Sequence, residues 1–323
     1  MNSIGKIFKI AIYGESHGKG VGVTIDGVPP GIEISKEDFT DDLLRRKLDK
    51  KGTTKRKEVD IPEIQSGIFK DKTTGTPVNI FFENRDVKSE SYKKVQEIPR
   101  PGHADFTAKY KYKGFNDYRG GGMFSGRLTA GIVAAGVIAK KLISPVNIKS
   151  DIIEIGGKKN YKKILKKAIK EKDSLGGIIE CSVNNISVGL GEPYFDSVES
   201  KISHMIFSIP GIIGIEFGKG FSGTRMLGSE FNDSIINKEG ETESNNSGGI
   251  NGGITNGNQL LFRAAVKPTP TISKKQKSFN LKKEEITEVE YGGRHDAAFV
   301  LRMPVIIEAA VSIVLADLIL INK

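Results

Sequence analysis

The segment 305–320 places the strongest constraint on the fold. It is apolar on every face that a helix would present, and Glu308 and Asp317 are its only charged residues. A helix that is apolar all round belongs in a protein core or in a membrane, and this segment is too short and too charged to span a bilayer comfortably. We therefore predict a buried core helix in which Glu308 is paired with an arginine or with backbone N–H groups.

The length and composition indicate a globular protein. A chain of 323 residues suits one large domain or two smaller ones around a substantial core. Hydrophobic residues make up 37% of the chain, and 38 glycines make it loop-rich. The single cysteine, Cys181, excludes an internal disulfide framework and a cysteine-rich zinc site. Together with the absence of an N-terminal secretion signal, it favours a cytoplasmic location.

Hydrophobic periodicity predicts a mixture of strands and helices. Strands are predicted at 6–12, 21–26, 59–65, 78–82, 177–183, 260–266 and 285–291. A capping-box pattern at 35–38 opens a helix that would carry Phe39, Leu43, Leu44 and Leu48 on one side. Further helices are predicted within 128–143 and 158–172. Because these elements do not alternate strictly as βαβ units, we predict an α+β fold.

The stretch 100–127, RPGHADFTAKYKYKGFNDYRGGGMFSGR, combines several features of an anion site. Its three consecutive glycines allow positive φ angles and a close approach of backbone N–H groups to a ligand. Ser125 and Gly126 would lie at the N-terminus of the next helix, where free N–H groups and the helix dipole favour an anion. Arg127 adds a guanidinium that suits a carboxylate or a phosphate. Each residue alone fits a turn before a core helix, but the cluster indicates a site for a small, multiply charged anion.

The glycine-rich loop 13–22 looks like a phosphate-binding loop, but its spacing fits neither nucleotide motif. Three residues separate Gly14 from Gly18 where a Walker motif needs four, and Gly20 stands where a magnesium-binding hydroxyl is required. The following segment 21–26 alternates as a strand, which removes the helix N-terminus that both motifs need. What remains is the pair Ser16–His17 in a loop at a strand end.

Part of the net charge of +10 lies in a basic run at 45–57, where Asp49 is the only acid. This run fits a solvated loop, a nucleic-acid contact, or a mobile loop that closes over an anionic ligand. No aromatic residue within the run is available to stack on bases, which argues against single-strand binding. We favour the closing loop and place it at 46–57.

Taken together, the motifs resemble those of the chorismate synthase family. They are GESHG at 14–18, RPGHAD at 100–105, DYRGGG at 117–122, SGRLT at 125–129, GIEFG at 214–218, NGGI at 251–254, KPTPT at 267–271 and GRHD at 293–296. The match runs in order from about Tyr13 to the C-terminal helix. The resemblance implies a single-domain β-α-β sandwich over residues 1–323, with a Gly/Asn-rich loop at 245–257, and a homotetramer.

The resemblance also implies a reaction. The family catalyses the anti-1,4 elimination of phosphate from 5-enolpyruvylshikimate 3-phosphate to give chorismate, the last common step of the shikimate pathway. The reaction requires reduced FMN (FMNH2) without net redox change. Because the substrate carries two carboxylates and a phosphate, and the flavin another phosphate, the site must be cationic. An external flavin reductase is implied, and no nucleic acid, membrane or metal.

Roles for individual residues follow from the same resemblance. His17 would be the general acid near the leaving phosphate, His103 would lie beside the N1 and C2 carbonyl edge of the flavin, and Asp296 would assist proton removal through the flavin N5. Histidine suits the first two tasks because its ordinary pKa lies near the working pH. Substrate would be bound by Ser16, Arg46, Lys51, Arg100, Ser125, Arg127 and Arg294. Flavin would be bound by Met123, Phe124, Ser125, Pro210, Gly211, Gly252, Lys267, Pro268, Thr269, Pro270, Thr271 and Arg294.

Two other functions compete with this reading on the residues alone. A phosphotransferase would use the loop 14–20 on ATP and would depend on magnesium. A nucleic-acid module would use the basic run 45–57 and would bind DNA or RNA with a steep dependence on salt.

Overall fold

The computed structural model describes residues 2–48, 51–53, 60–85, 90–291 and 295–323. The α-helices in these residues are α1 (Thr40–Lys47), α2 (Asp105–Lys111), α3 (Thr129–Leu142), α4 (Lys162–Lys170), α5 (Val198–Phe207), α6 (Gly228–Phe231) and α7 (Met303–Ile321). The strands are β1 (Ser3–Ile4), β2 (Lys9–Gly14), β3 (Gly20–Asp26), β4 (Glu63–Ser66), β5 (Ile68–Phe69), β6 (Lys72–Thr73), β7 (Val78–Glu83), β8 (Asn147–Ile155), β9 (Gly177–Asn184), β10 (Ile212–Phe217), β11 (Ile250–Asn251), β12 (Ile254–Thr255), β13 (Leu260–Val266), β14 (Gln276–Asn280) and β15 (Glu285–Val289).

Two antiparallel sheets form the outer layers. The first has the strand order β1-β2-β3-β7-β4 and the second has the order β10-β13-β9-β8. Alternate residues of β13 are buried, as the period of two along a strand requires. On the neighbouring β9, Cys181 is fully buried, and burial raises the pKa of its thiol to about 12. This confirms the prediction that Cys181 is an inert core residue.

Helices α3 and α7 lie between the sheets and pack against each other. A Cβ at Gly131 of α3 would stand only 3.1 Å from the carbonyl oxygen of Gly22 in β3. On the other side of α3, a Cβ at Gly136 would stand 2.3 Å from the Cβ of Ala309 in α7. Small residues therefore let α3 approach both a sheet and a helix, while α7 packs on β8 and β9. The sheet–helix–sheet order confirms the predicted β-α-β sandwich and the α+β class.

Helix α1 follows a short 3-10 turn at Glu37–Phe39, and the Ser35 N–H donates to Asp38 Oδ2 at 2.7 Å. Leu43 is buried, but Leu44 is 54% exposed, so the prediction that Leu44 faces the core is wrong. Arg46 occupies a buried position of this helix instead, because it is fully engaged in polar contacts. The basic run thus begins as helix rather than loop, and its residues 49–50 and 54–57 lie outside the described residues.

Two other predicted elements differ from the structure. The Gly/Asn-rich segment is not irregular throughout, because β11 and β12 form a hairpin whose turn is Gly252 and Gly253, both at positive φ. Strand β4 begins at Glu63, later than predicted, and residue 59 lies outside the described part of the chain. The amphipathic prediction for α4 is confirmed, since Leu165 and Ala168 are buried.

Helix α7 is the predicted core helix. Glu308 accepts hydrogen bonds from both terminal nitrogens of Arg45, each at 2.7 Å, and from the Ser150 N–H at 3.1 Å. This confirms the predicted need for an arginine or backbone partner. The helix is longer than the predicted segment 305–320, because in the described residues the helical segment Phe299–Ile321 spans 23 residues. By length and composition alone this segment could cross a membrane, yet 78% of its apolar window is buried inside the protein, as predicted for a core helix.

The Arg45–Glu308 pair predicts an asymmetric loss of stability. The Arg45→Met variant leaves the Glu308 carboxylate buried with reduced compensation, so we expect the free energy of unfolding to fall by about 3 kcal/mol. The Glu308→Gln variant leaves behind Arg45, whose side chain is 46% exposed and can be hydrated, and it should cost only about 1 kcal/mol. Urea unfolding of both variants measures the difference. Equal losses, or a larger loss for Glu308→Gln, would contradict this account.

Candidate active site

A cleft of about 730 Å³ lies where the stretch 100–127 meets the 267–271 turn and the start of α7. This volume falls within the roughly 300–1,000 Å³ that is usual for pockets enclosing a small ligand. Its walls come from segments that are far apart in sequence, including the C-terminal end of α5. Cations and carboxylates both line it. The cations are Arg46, Lys47, Arg100, Arg127, Lys267 and Arg302, and the carboxylates are Asp60, Asp105, Asp117 and Asp296.

The three glycines form a tight turn at positive φ, with values of 59°, 83° and 53° for Gly120, Gly121 and Gly122. These values confirm the prediction that the three glycines adopt positive φ angles. A Cβ at Gly120 would stand 2.3 Å from Cδ2 of the His17 ring, and a Cβ at Gly122 would stand 2.1 Å from the Asp117 carbonyl oxygen. The turn therefore closes only without side chains. The Gly122 carbonyl oxygen also accepts the Ser16 N–H at 3.1 Å.

Among the described residues, Ser16 and His17 lie behind this glycine turn and do not line the cleft. The His17 ring meets the ring of Tyr92, a cleft residue, edge to face at 5.2 Å between centroids. The loop that carries both residues simply connects the antiparallel strands β2 and β3. No helix follows it, which supports the rejection of a nucleotide-binding loop.

The start of α3 differs from an open anion site. Ser125 is extended, and its Oγ accepts the N–H of Arg127 at 3.3 Å, so this serine caps the short turn Gly126–Leu128 that leads into α3. One of the expected free N–H groups is thus already satisfied by protein. Ser125 and Gly126 nevertheless line the cleft, as predicted.

The cleft arginines are paired with carboxylates. Arg46 and Arg127 both contact Asp60, one on each carboxylate oxygen. Arg100 makes a two-pronged pair with Asp105, with Nε–Oδ2 and Nη2–Oδ1 distances of 2.8 Å. The predicted cationic site therefore also contains carboxylates, which offset part of the charge of these three arginines. The involvement of Asp60 was missed because nothing in its sequence surroundings marks it.

The pKa of His103 is strongly shifted by its surroundings in the cleft. Its Nε2 contacts Thr271 Oγ1 of the 267–271 turn, and the carbonyl oxygen of the adjacent Gly102 accepts a hydrogen bond from Lys267 Nζ at 3.0 Å. Burial, followed by the positive charge of Arg100, lowers the pKa of His103 to about 4, although Asp105 opposes this shift. This lowered pKa contradicts the expectation that His103 titrates near the working pH. At that pH its imidazole is uncharged.

This pKa predicts a specific loss of stability in acid. Between pH 6.5 and about 4 the unfolded chain protonates His103 whereas the folded chain does not, so folding stability falls as the pH falls. We expect this one group to remove about 3 kcal/mol over that interval. Urea unfolding of wild type and His103→Gln at both ends of the interval measures the effect. Parallel losses in the two proteins would contradict the lowered pKa.

Asp296 lies at the start of the C-terminal helical segment and faces the cleft. Its Oδ2 pairs with Arg302 Nε at 2.8 Å, and its Oδ1 lies 3.4 Å from Arg302 Nη2. Arg302 Nη1 also donates to the backbone carbonyl of Arg46 at 3.2 Å. Arg302, which the sequence reading overlooked, thus ties Asp296 to the end of α1.

The remaining predicted site residues divide into two groups. Met123, Phe124, Pro210, Gly211 and all five residues of the 267–271 turn line the cleft. Lys51 is exposed outside it, and Arg294 lies outside the described residues. His204 also lines the cleft at its rim, although it stands outside every recognised motif.

Gly252 is placed away from the cleft. The neighbouring Gly253 accepts the Val198 N–H at the start of α5, whereas residues at the end of this helix line the cleft. Because α5 has ten residues, its ends are separated by roughly 15 Å. Within one chain, therefore, Gly252 does not join the other predicted flavin residues.

The wall formed by the 267–271 turn fits a flat cofactor with polar edges. Thr269 Oγ1 is buried and has no hydrogen-bond partner among the described residues, so it is available to a bound group. A Cβ at Gly121 would meet nothing nearer than Arg100 Nη2 at 4.0 Å, which leaves room along the glycine turn. No group of three or more side chains in the described residues is arranged to hold a metal ion.

A β-α-β sandwich with a cationic cleft of this kind defines an enzyme that binds a small polyanion beside an organic cofactor. The family model of chorismate synthase matches residues 8–320. Chorismate synthases from Chitinophaga pinensis and Thermococcus kodakarensis are 54% and 42% identical, covering 100% and 97% of this chain and 98% and 96% of their own lengths. A crystal structure of a chorismate synthase superposes with a TM-score of 0.77 at 28% identity, covering 99% of this chain and 93% of its own.

The chain belongs to the chorismate synthase family. It is a phosphate-eliminating lyase that converts 5-enolpyruvylshikimate 3-phosphate to chorismate in the shikimate pathway, and its family uses reduced FMN. The predictions of reaction, substrate and cofactor from the sequence motifs are confirmed. Like its relatives, it is a biosynthetic enzyme.

Proposed function

We propose that phosphate elimination takes place in the cleft between the glycine turn 120–122 and the 267–271 turn. The observation that carries this proposal is the convergence of four motifs, at 100–105, 117–122, 125–129 and 267–271, on one cavity. Residues that are spread over more than half of the chain meet there. A cavity that was merely a packing defect would not be expected to gather them.

Arg46, Arg100 and Arg127 hold the substrate anions in this proposal. Their guanidinium groups are oriented by protein acceptors, so that little side-chain entropy is lost when an anion binds. Ser125 adds a hydroxyl at the start of α3. Lys51 and Arg294 stay predictions for substrate binding.

His17, His103 and Asp296 manage protons. The ring of His17 lies directly against Gly120, where the absence of a side chain gives it a short path to the cleft, and it would protonate the leaving phosphate. His103 is neutral and holds one N–H that can donate to a ligand edge. Asp296 would assist removal of the ring proton, since it is a carboxylate that lines the cleft.

The flavin is held by the 267–271 turn together with Met123, Phe124, Pro210 and Gly211. When bound in its reduced form, FMN supplies electron density that promotes departure of the phosphate. Thr269 and Thr271 offer hydroxyls to its polar edge, while Lys267 offers a positive charge. Phe124, whose side chain is half-exposed at the mouth, would pack on the ring system.

Gly252 enters a flavin site only from another subunit. Its position beyond the far end of α5 supports a homotetramer in which the β11–β12 hairpin of one copy reaches the cleft of a neighbour. Such an assembly would also cover exposed apolar residues near this cleft, including Phe207 and Ile213.

The enzyme is cytoplasmic, and a separate reductase reduces the FMN before the enzyme binds it. Neither nucleic acid nor a membrane is a partner. We expect the purified protein with oxidised FMN and NADPH to form no chorismate, and addition of a flavin reductase to start turnover. Anaerobic measurement of chorismate absorbance tests this. Turnover with NADPH and the purified protein alone would contradict the need for a reductase, while leaving the assignment of the cleft intact.

A further inference from the structure

Asp60 is a buried carboxylate placed between two arginines of the cleft. Its side chain is only 6% exposed, and the side chains of Arg46 and Arg127 are 10% and 4% exposed. Arg46 contacts one carboxylate oxygen and Arg127 contacts the other. All three residues line the cleft, so this charge cluster faces the ligands.

Neutral acceptors fix the other sides of the two guanidinium groups. Arg46 Nε donates to Thr129 Oγ1 at 3.0 Å, and its Nη2 donates to the carbonyl oxygen of Arg127 at 3.2 Å. Arg127 Nε donates to Asn84 Oδ1 at 3.0 Å, and its Nη2 donates to the Glu83 carbonyl oxygen at 3.2 Å. The charged partner that the two arginines share is Asp60. Its negative charge offsets part of the positive charge that the two guanidinium groups bring into a largely dry environment.

We propose that Asp60 is a positioning residue, which aligns Arg46 and Arg127 and reduces their combined charge. This inference rests on the proposed role of these arginines in substrate binding. With Asp60 ionised, its negative charge offsets part of the positive charge of the two arginines. The two planar groups also share one carboxylate, which fixes their relative orientation.

The reaction gives a physical reason for this arrangement. The substrate and the released phosphate are both anions, so any positive charge that tightens substrate binding also retains product. Binding that is equally strong in the ground state and the transition state does not raise the rate of the chemical step. Asp60 limits the positive charge of the two arginines and holds their relative orientation. It therefore favours correct positioning of the substrate over equally strong attraction of every anion.

Two variants separate these effects. Asp60→Asn keeps the shape but removes the charge, and Asp60→Glu keeps the charge but moves it by one methylene. For Asp60→Asn we expect the Kd of 5-enolpyruvylshikimate 3-phosphate to fall about tenfold. This Kd is measured by calorimetry with oxidised FMN, because the oxidised flavin does not support turnover. We expect the kcat of this variant with reduced FMN to fall by at least about tenfold. For Asp60→Glu we expect a Kd close to wild type and the same loss of kcat.

A purely structural role would give a different pattern. It would lower the melting temperature and weaken substrate binding, without any tightening in Asp60→Asn. Glu308→Gln is the matched control, since it removes a buried carboxylate paired with an arginine outside the cleft, and it should leave both Kd and kcat unchanged. Unchanged or weaker substrate binding in Asp60→Asn, or a wild-type kcat in either Asp60 variant, would overturn the inference.

An Arg127→Lys variant distinguishes the inference from its premise. If this variant weakens substrate binding while Asp60→Asn does not tighten it, the role given to Asp60 is wrong and the role of the arginine stands. If Arg127→Lys leaves Kd and kcat at wild-type values, the proposed substrate contact of Arg127 fails, and the inference about Asp60 fails with it.

Discussion

Replacing Gly120 by alanine is expected to lower kcat by about a hundredfold or more. The new methyl group would stand 2.3 Å from Cδ2 of His17 and 2.9 Å from Ser16 Oγ, so the histidine ring has to move. A displacement of about 1 Å from a productive geometry can cost a hundredfold in rate. Steady-state kinetics with reduced FMN measures the effect. Folding stability should fall by the usual cost of a left-handed alanine, about 1–2 kcal/mol, plus a repacking cost of about 1–3 kcal/mol for the displaced ring.

Gly114→Ala is the matched control for this variant. Gly114 also has a positive φ, of 82°, but a Cβ there would meet nothing within 4 Å. The control should therefore lose only the cost of a left-handed alanine, about 1–2 kcal/mol, and keep its kcat. If Gly120→Ala retained wild-type kcat, His17 would have no role that depends on its position behind the glycine turn.

Replacing Asp296 by asparagine is expected to lower kcat by about a thousandfold while changing substrate affinity little. General acid–base groups typically contribute between about a hundredfold and ten-thousandfold. Asparagine preserves the size of the side chain but provides no carboxylate to take part in proton removal. Its effect on affinity should be small, because the proposed anion contacts come from other residues, including Arg100 and Arg127.

The elements that the sequence predicted well are those with strong local patterns. Segment 305–320 is apolar all round and is the buried helix α7, and strand β13 has the predicted limits, 260–266. The three glycines have positive φ, and at Gly120 and Gly122 close contacts with His17 and the Asp117 carbonyl leave no space for a side chain. In each case the physical cause lies in the residues themselves or in their near neighbours.

The features that escaped prediction depend on contacts between distant segments. Leu44 is exposed because the buried face of α1 turns Arg46 towards Asp60 and Thr129. His103 has a lowered pKa because of burial and the nearby Arg100, which spacing alone does not reveal. Gly252 belongs to a recognised motif, yet α5 separates it from the cleft of its own chain.

The central claim, that the described cleft performs the elimination, is tested most directly by an anaerobic single-turnover comparison of wild type and Asp296→Asn. Both proteins are mixed with chemically reduced FMN and 5-enolpyruvylshikimate 3-phosphate, and chorismate, phosphate and flavin absorbance are followed together. We predict equal amounts of chorismate and phosphate in wild type, with the flavin still reduced at the end, and about a thousandfold slower formation of both products in the variant despite normal ligand binding. A variant that forms both products at the wild-type rate would contradict the assignment of the reaction to this cleft.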